Sequence, residues 1–483
     1  MKKKHLCIFL LSASLLTLVG CSGGDGDSGS KSQSVAVCVY DGGYGTSWIE
    51  KIAKEYEEDT GIKVEWTADD SILDRIEDQL KNGCDYDIIM SHDINWQNFA
   101  SQGLLASLDD LYERNVEGRN KKFKDSLVSG ALEMSKCEGE GEDEEHFYKV
   151  CYTQGAGGLI YNVDMFKEHK WTVPTTYSEL VTLCEQIYQE GKASGRDEKS
   201  IVPLAWSGID RQYYWDYLVF EWWAELAGQD KINAFRDFKD PSTGKYSTGY
   251  EVYNPSTHYK EFIQAYEMWY NLIVAHPEYS IKDAYSTNLA SAKSAFVNGE
   301  VAMIPYAQWG KYELQQVTDN NSLDFNIAMM KTPKANASSN SVNYMVGFGD
   351  SMIIPENALN VDGAKDFLLY LASAKACKTF VKESQGAFLA FDYSDVDLEE
   401  LQEDTYTKSI YDKLTTSTDF TLASKSPLAV WTSNSVMPWV TNEYYYASAC
   451  KEPSKYTSSI VGTNISNIAK ENWVVWCRSA NVK

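Results

Sequence analysis

The chain carries no C-x-x-C pair, no H-E-x-x-H, no G-x-S-x-G and no P-loop signature in its 483 residues. These absences remove the zinc ribbon, the thioredoxin-type redox site, the zincin and nucleophile-elbow hydrolases, and the phosphate-cradling NTPase loop. Histidine is rare, with 6 residues, and no His, Asp and Glu spacing suggests a metal. Basic residues are also few: 44 Lys and Arg face 69 Asp and Glu, for a net charge of −25. Such a chain repels a phosphate backbone, which argues against DNA or RNA as a partner. Beyond Val19 no run is long and apolar enough to span a bilayer, for which about 20 residues are needed. Phenylalanine numbers only 17 beside 32 Tyr and 14 Trp. Tyr and Trp join a flat apolar face to a polar edge, which suits wet concave surfaces, although an aromatic-rich core accounts for most of them. What is present, 43 % apolar and 23 % charged residues, is a globular mixture with length for two or three domains of about 100–200 residues.

The N-terminus reads as an address. Lys2, Lys3 and Lys4 precede an apolar run from Leu6 to Val19 that is too short to stay in a membrane. It ends in Leu18-Val19-Gly20-Cys21, which resembles the bacterial lipobox, after which the cysteine is diacylated and becomes the mature N-terminus. An ordinary secretory leader with a chance cysteine is the bland alternative. Residues 1–20 are then a signal peptide, and residues 21–34 a flexible tether of roughly 20 Å from lipidated Cys21. Cleavage removes three lysines and no acid, taking the net charge to −28. The even number of cysteines left in the body allows disulfides in an extracytoplasmic compartment, with their pairing open. Cys38, Cys184 and Cys377 lie in apolar-periodic segments and read as buried thiols.

Along the body, Val35 to Tyr40 reads as a strand, followed by the glycine loop Asp41-Gly42-Gly43-Tyr44-Gly45. Ser47 and Glu50 have capping-box spacing, and Trp48, Ile49, Ile52, Ala53 and Tyr56 recur at helical spacing up to Gly61. Ile62, Val64 and Trp66 alternate as a strand, Ile72 to Leu80 predicts a second helix, and Tyr86 to Met90 a third strand. Strand, helix, strand, helix, strand implies an α/β sheet with helical crossovers. The pattern returns with Leu159 to Tyr161, a helix capped by Thr176 and Glu179, a strand from Val202, an aromatic helix around Tyr214 to Leu226, a helix from Tyr259 to Val274, a strand from Val301 to Pro305, and a helix from Val361 to Ala374. The acidic stretch Glu138 to Glu145 reads as a solvated loop and lacks EF-hand spacing.

Four stretches together resemble the extracellular solute-binding proteins of bacterial ABC importers, in the carbohydrate-binding family to which maltose-binding protein belongs. They are the strand-loop-helix ending in Glu58-Asp59-Thr60-Gly61-Ile62-Lys63-Val64; Tyr86-Asp87-Ile88-Ile89 with His92-Asp93 and Gly103-Leu104-Leu105; AFVNGEVAM from Ala295 to Met303, followed by Trp309; and GFGDSMIIP from Gly347 to Pro355. Leu159-Ile160-Tyr161-Asn162 with Pro174-Thr175 adds to them. The resemblance covers most of residues 35–440 and thins after Asp395. It implies an α/β fold of two lobes, a periplasmic-binding-protein-like clamp with a cleft between the lobes and crossing hinge strands near Val150–Gln154 and Gly347–Ser351. Lobe one would comprise 35–150 and 351–395, and lobe two 154–347 and 396–483.

A sugar has apolar C–H faces and a rim of hydroxyls, so its cleft needs aromatic platforms and planar hydrogen-bonding side chains. Asp93 follows the third strand and is the family's hydroxyl-binding acid; the bland role for it is a helix N-cap, since Ile94 to Gln102 looks helical. His92 reads as packing. Trp309 stands where the family keeps a stacking Trp, and Trp431 resembles a second such position. Tyr213, Tyr214 and Trp215 fall near further family aromatics, with core packing an equal reading. Tyr44 and Trp48 border the glycine loop, and Trp48 also fits as a packing residue of its helix. Trp206, with Asp210 and Arg211, ends a lobe-two strand, and Gln154 lies on a crossing strand. At Met90-Ser91 an aromatic of maltose-binding protein is missing, which puts maltose itself in doubt.

The expected function is therefore a lipid-anchored, monomeric binding component on the outer face of the cell membrane. It would capture a carbohydrate, an oligosaccharide in the leading reading, for the transmembrane subunits of an ABC permease. No catalytic residue and no cofactor are expected. Two alternatives stay open: the same fold binding a polyamine or other small cation, which the negative charge favours, and a surface glycoside hydrolase, which needs two carboxylates about 5–10 Å apart. Ferric binding through Tyr444 and Tyr445 is disfavoured, because adjacent helical residues face different ways.

Overall fold

The computed structural model describes residues 34–193, 201–236, 239, 240, 242, 243, 245, 249, 250, 254, 260–345, 350–422 and 443–479. Its strands in chain order are β1 (Ser34–Val39), β2 (Lys63–Ala68), β3 (Ile88–Ser91), β4 (Lys136–Glu138), β5 (Glu145–Phe147), β6 (Val150–Cys151), β7 (Gly157–Asn162), β8 (Val202–Leu204), β9 (Val301–Ala307), β10 (Ile327–Met330), β11 (Val342–Tyr344), β12 (Ser351–Ile353) and β13 (Thr418–Phe420). They build a five-stranded sheet in the order β2-β1-β3-β12-β6 and a four-stranded sheet in the order β10-β7-β9-β8. β1 pairs in parallel with both β2 and β3, as expected for helical crossovers. β12 then enters antiparallel between β3 and β6, with Ser351 opposite Ser91 on one side and Cys151 on the other.

Strands β3, β6 and β12 of the first sheet are buried on both faces, with helices on either side, while the edge strand β2 exposes Lys63, Glu65 and Thr67. Val35, Val37 and Val39 of β1 point toward the helix Ser47–Thr60, whose buried stripe is Trp48, Ile49, Ile52, Ala53 and Tyr56. Cys38 and Ile89 face the other way, onto Ile72, Ile76, Leu80, Trp96 and Phe99. The helix ends at Gly61, whose φ of 75° closes a left-handed cap with its N–H on the Glu57 carbonyl. The second sheet supports the aromatic helix Asp216–Ala227, buried at every position from Asp216 to Ala224. That helix packs on Lys260–Trp269, which in turn meets the C-terminal helix Ser458–Ser479.

Several local expectations change. Ser47 and Glu50 form no capping box: Thr46 is the N-cap without a side-chain bond, and the Ser47 hydroxyl donates to the Glu383 carbonyl at 3.2 Å. A tertiary acceptor has taken the hydroxyl that the local motif needed. At Thr176 and Glu179 the box does form, with reciprocal bonds of 3.3 and 3.1 Å. The predicted helix from Ile72 splits into a 3₁₀ turn, Ile72–Asp74, and an α-helix, Ile76–Asn82. The helix read over Tyr259 to Val274 is α-helical over Lys260–Trp269 and continues as a π turn, Tyr270–Val274. The acidic stretch is the tip of the β4–β5 hairpin. Cys38, Cys184 and Cys377 are buried free thiols, and Cys84, Cys137, Cys151 and Cys450 are free as well. Cys21 and the tether lie outside the described residues.

Two stretches run side by side between the sheets. β6 leads through Tyr152–Ala156 into β7, and the Gln154 N–H donates to the Phe388 carbonyl at 3.1 Å while the Ala390 N–H donates to that of Tyr152 at 3.1 Å. The Gln154 side chain adds a bond to the Phe391 carbonyl at 2.9 Å.

Candidate functional site

The loop at the carboxyl end of β1 meets the segments that follow β8 and β9. In open α/β sheets that end is where ligands bind. The contact is closest at the glycine loop. A β-carbon on Gly43 would lie 2.5 Å from the Trp309 ring, and one on Gly45, whose φ is 62°, would lie 2.6 Å from the Tyr312 ring. Backbone lies directly against aromatic side chains, an approach that only glycine permits.

Trp309 is partly buried at this contact, and its Nε1–H donates to the Tyr214 hydroxyl at 3.3 Å. Tyr44 meets it edge-on at a centroid distance of 6.0 Å, and Tyr217 at 6.4 Å. The Tyr44 hydroxyl shares a hydrogen bond with Thr153 at 3.1 Å and accepts one from Gln308 Nε2 at 3.3 Å. Gln308 has no exposed surface, and its Oε1 accepts from the Phe388 N–H at 3.3 Å. The residue before Trp309 thus ties the glycine loop to both linking stretches.

The other side of the site is acidic. Asp93 sits at a left-handed φ of 53° and shares a 3.1 Å hydrogen bond with His92 Nδ1. It caps no helix: the following helix is Trp96–Ala100, with Asn95 as its N-cap. Its side chain is 73 % exposed, so it stands at a rim with room for a ligand. The bond to Asp93 holds the His92 imidazole above its usual pKa, and the ring meets Tyr40 edge-on at 4.3 Å. Asp350, immediately before β12, is partly buried. Burial, then the charge of Asp93, push its carboxyl up to about 7, while His92 and Lys149 pull the other way. Lys149 is itself buried, with its Nζ 5.1 Å from the Trp96 ring centroid. Asp41 is raised by burial and by Asp70, whose carboxylate accepts the Asp41 N–H at 3.0 Å. Across from them Arg211 lies 5.8 Å from the Tyr213 ring, and its charge reaches Tyr40.

Of the residues expected at the site, the structure packs Tyr44 and Tyr214 on Trp309 and Tyr213 on Tyr214, and sets Asp93 beside His92 just after β3. It places Trp48 and Trp215, both with no exposed surface, in the core, where Trp48 packs on Phe380 at 5.1 Å and Trp215 on Trp269 at 6.4 Å. Trp206, 2 % exposed, is held in the core by a 3.1 Å bond to Ser280. Gln154 spends its side chain on the linking stretch. Trp431 lies outside the described residues. The sequence reading did not single out Asp350, Gln308 or Tyr217. Asp350 was visible within GFGDSMIIP, and Gln308 as the neighbour of Trp309. Among the described residues no group of three or more His, Cys, Asp and Glu could hold a metal ion. Ring faces beside carboxylate acceptors suit a ligand with apolar faces and a hydroxyl rim.

The sheet order, the returning β12 and a site between strand ends define a solute-binding protein of the two-lobed type. Residues 42–377 match the model of the bacterial extracellular solute-binding protein family, and the chain belongs to that family. Solved structures agree on the fold. RafE from Streptococcus pneumoniae, in its apo form, is 16 % identical with a TM-score of 0.62, over 92 % of this chain and 99 % of that one. The GacH receptor of Streptomyces glaucescens, solved unliganded and with acarbose, is 16 % identical with a TM-score of 0.60, over 91 % and 98 %. Among curated proteins, the diacetylchitobiose binding protein NgcE of Streptomyces coelicolor is 26 % identical over 164 residues. The chain spans about a third of that relative's length, 33 % of each protein being matched. Among the described residues no helix is long and apolar enough to cross a membrane.

Proposed function

We propose that this protein is the binding component of an ABC importer that captures an oligosaccharide at the cell surface and hands it to the membrane permease without chemical change. The observation that carries the reading is the meeting of Trp309, which follows β9 of one sheet, with the glycine loop that follows β1 of the other. RafE has been solved with raffinose and GacH with acarbose, and NgcE is named for diacetylchitobiose. These names support a sugar over a polyamine, and a binder over a hydrolase. Lobe one is assigned 35–150 and 351–395, and lobe two 154–347 and 396–483. Cys21 carries the lipid that keeps the tether at the membrane.

In this reading the lobes open and shut about the crossing strands near Val150–Gln154 and Gly347–Ser351, of which residues 347–349 lie outside the described residues. A sugar touching both lobes favours the shut form in proportion to its preference for it, and the permease reads closure as cargo. The test is a thermal-shift panel containing raffinose, N,N′-diacetylchitobiose, β-D-galactopyranose, acarbose and spermidine. A ligand that binds only the folded form at 100 times its Kd adds about 2.7 kcal/mol. A glycan that raises the melting temperature and lowers the radius of gyration in small-angle scattering is expected. A shift with spermidine and none with any glycan would replace the sugar by a cation, and release of reducing ends from an oligosaccharide would make the protein an enzyme.

A further inference from the structure

We infer that Asp350 is a specificity-determining residue of the cleft, a second carboxylate that works with Asp93 to bind hydroxyls of a sugar carrying no acid group at that end. The inference rests on the sugar-binding reading above. Asp350 stands one residue before Ser351, which lies opposite Ser91 of β3 and Cys151 of β6. Carrying the antiparallel register one step further sets Asp350 between His92 and Tyr152, and the Tyr152 N–H does donate to the Asp350 carbonyl at 3.3 Å. Because side chains alternate across a strand, Asp350 shares the face of Met352 and Met90, toward Tyr44 and Trp48, rather than that of Ser351. Its charge accordingly reaches Tyr40, Tyr44, Tyr152, His92 and Lys149, which come from the first glycine loop and from the ends of β3 and β6.

Despite that crowding, among the described residues no side chain or amide donates a hydrogen bond to the Asp350 carboxylate. A partly buried carboxylate beside a like charge, with no donor of its own, is costly to the fold. Other partly buried carboxylates among the described residues are paired: Asp69 with Arg75, Asp395 with Arg119, Asp404 with Lys311 at 2.6 Å. An acceptor left without donors at the ligand end of the sheet is poised for donors that arrive with a ligand, and sugar hydroxyls supply them. Two carboxylates there also turn away a uronate. Carboxylates kept in this way raise affinity at the expense of stability, a trade that functional sites make and structural ones do not.

The test uses the whole protein and the first glycan of the panel that shifts the wild type. Asp350→Asn keeps shape and removes charge. Its Kd by calorimetry is expected to rise at least tenfold, while its melting temperature without ligand equals or exceeds that of the wild type. The wild-type Kd should also rise as pH falls from 8 to 6, through the pKa of the carboxyl faced by Asp93, His92, Lys149, Tyr40, Tyr44 and Tyr152, and this dependence should shrink in Asp350→Asn. Asp93→Asn, whose side chain is exposed, should weaken binding without unfolding and serves as the check on folding. Equal Kd values for wild type and Asp350→Asn, with a lowered melting temperature in the variant, would make Asp350 a structural residue and overturn the inference while leaving sugar binding intact. A wild type that binds no glycan overturns the sugar reading and, with it, this one.

Discussion

Trp309 lies against the backbone of Gly43, with no room between them for even a β-carbon. The indole follows β9, the glycine belongs to the loop that follows β1, and their contact joins the two larger sheets. If a sugar stacks on Trp309 as proposed, it must share or displace that contact.

Trp309→Ala should therefore cost roughly 1–3 kcal/mol of sugar affinity, about 5- to 150-fold in Kd, by analogy with other aromatic platforms and binding hot spots. Calorimetric titration beside a melting curve measures it. An unchanged Kd with a collapsed melting temperature would move Trp309 into the core.

Gly43→Ala should push the loop off the indole. Overpacking of this kind costs about 1–3 kcal/mol, and here part of that is relieved by opening. Small-angle scattering of the unliganded variant should show a larger radius of gyration than the wild type, and tryptophan emission should shift to the red. Identical scattering and emission would mean that the contact carries no load.

Lys413 and Glu221 form an ion pair at 2.9 Å with neither side chain exposed, linking the helix Thr405–Thr416 to Asp216–Ala227. Lys413→Met leaves Glu221 uncompensated and should destabilise by about 3–5 kcal/mol; Lys413→Met with Glu221→Gln should recover a good part of it. Urea unfolding of both variants decides this. Equal midpoints for the single variant and the wild type would contradict it.

Glu225, one turn from Glu221, is pushed up to about 8 by burial. An acid whose folded pKa exceeds its unfolded value of 4.5 binds more protons when folded across pH 4.5 to 8. Its contribution is complete below about pH 4.5 and is lost as pH rises through about 8. Glu225→Gln removes this dependence, so its stability relative to the wild type should grow by about 1–3 kcal/mol from pH 5 to pH 9. A difference that stays flat over that range would show that the carboxyl titrates normally.

If Cys21 carries the lipid as proposed, Cys21→Ser should release the protein from the membrane fraction, since residues 22–34 are polar and even a single acyl chain binds only marginally. Retention of the variant through a high-salt wash would point to another attachment.

How far the sequence could be read depended on whether the deciding partner was near in the chain. Thr176 and Glu179 are three residues apart and formed their box as read. Ser47 and Glu50 have the same spacing, yet the Ser47 hydroxyl was taken by Glu383, 336 residues away. Likewise Trp48, at the edge of a glycine loop, looked equally fit for a cleft or a core. Phe380 settled the matter by covering it. Asp93 was legible as a residue at a strand end, while its release from helix capping required the left-handed turn that starts the next helix only after Asn95.

By itself the sequence determined the alternation of strands and helices, through periodicities that act over a few residues, and the glycine loop, through the residue type that alone allows backbone on a ring. It also determined the chemistry on offer, tyrosines, tryptophans and carboxylates without a metal-ligand or nucleophile pattern. Only the tertiary structure decided which of these groups share a site. The insertion of β12 between β3 and β6 carries Asp350 to His92 from 258 residues away, and the end of β9 brings Trp309 onto Gly43. Such pairings are selected by the burial of whole sheet faces, a sum over many distant residues that no local pattern contains.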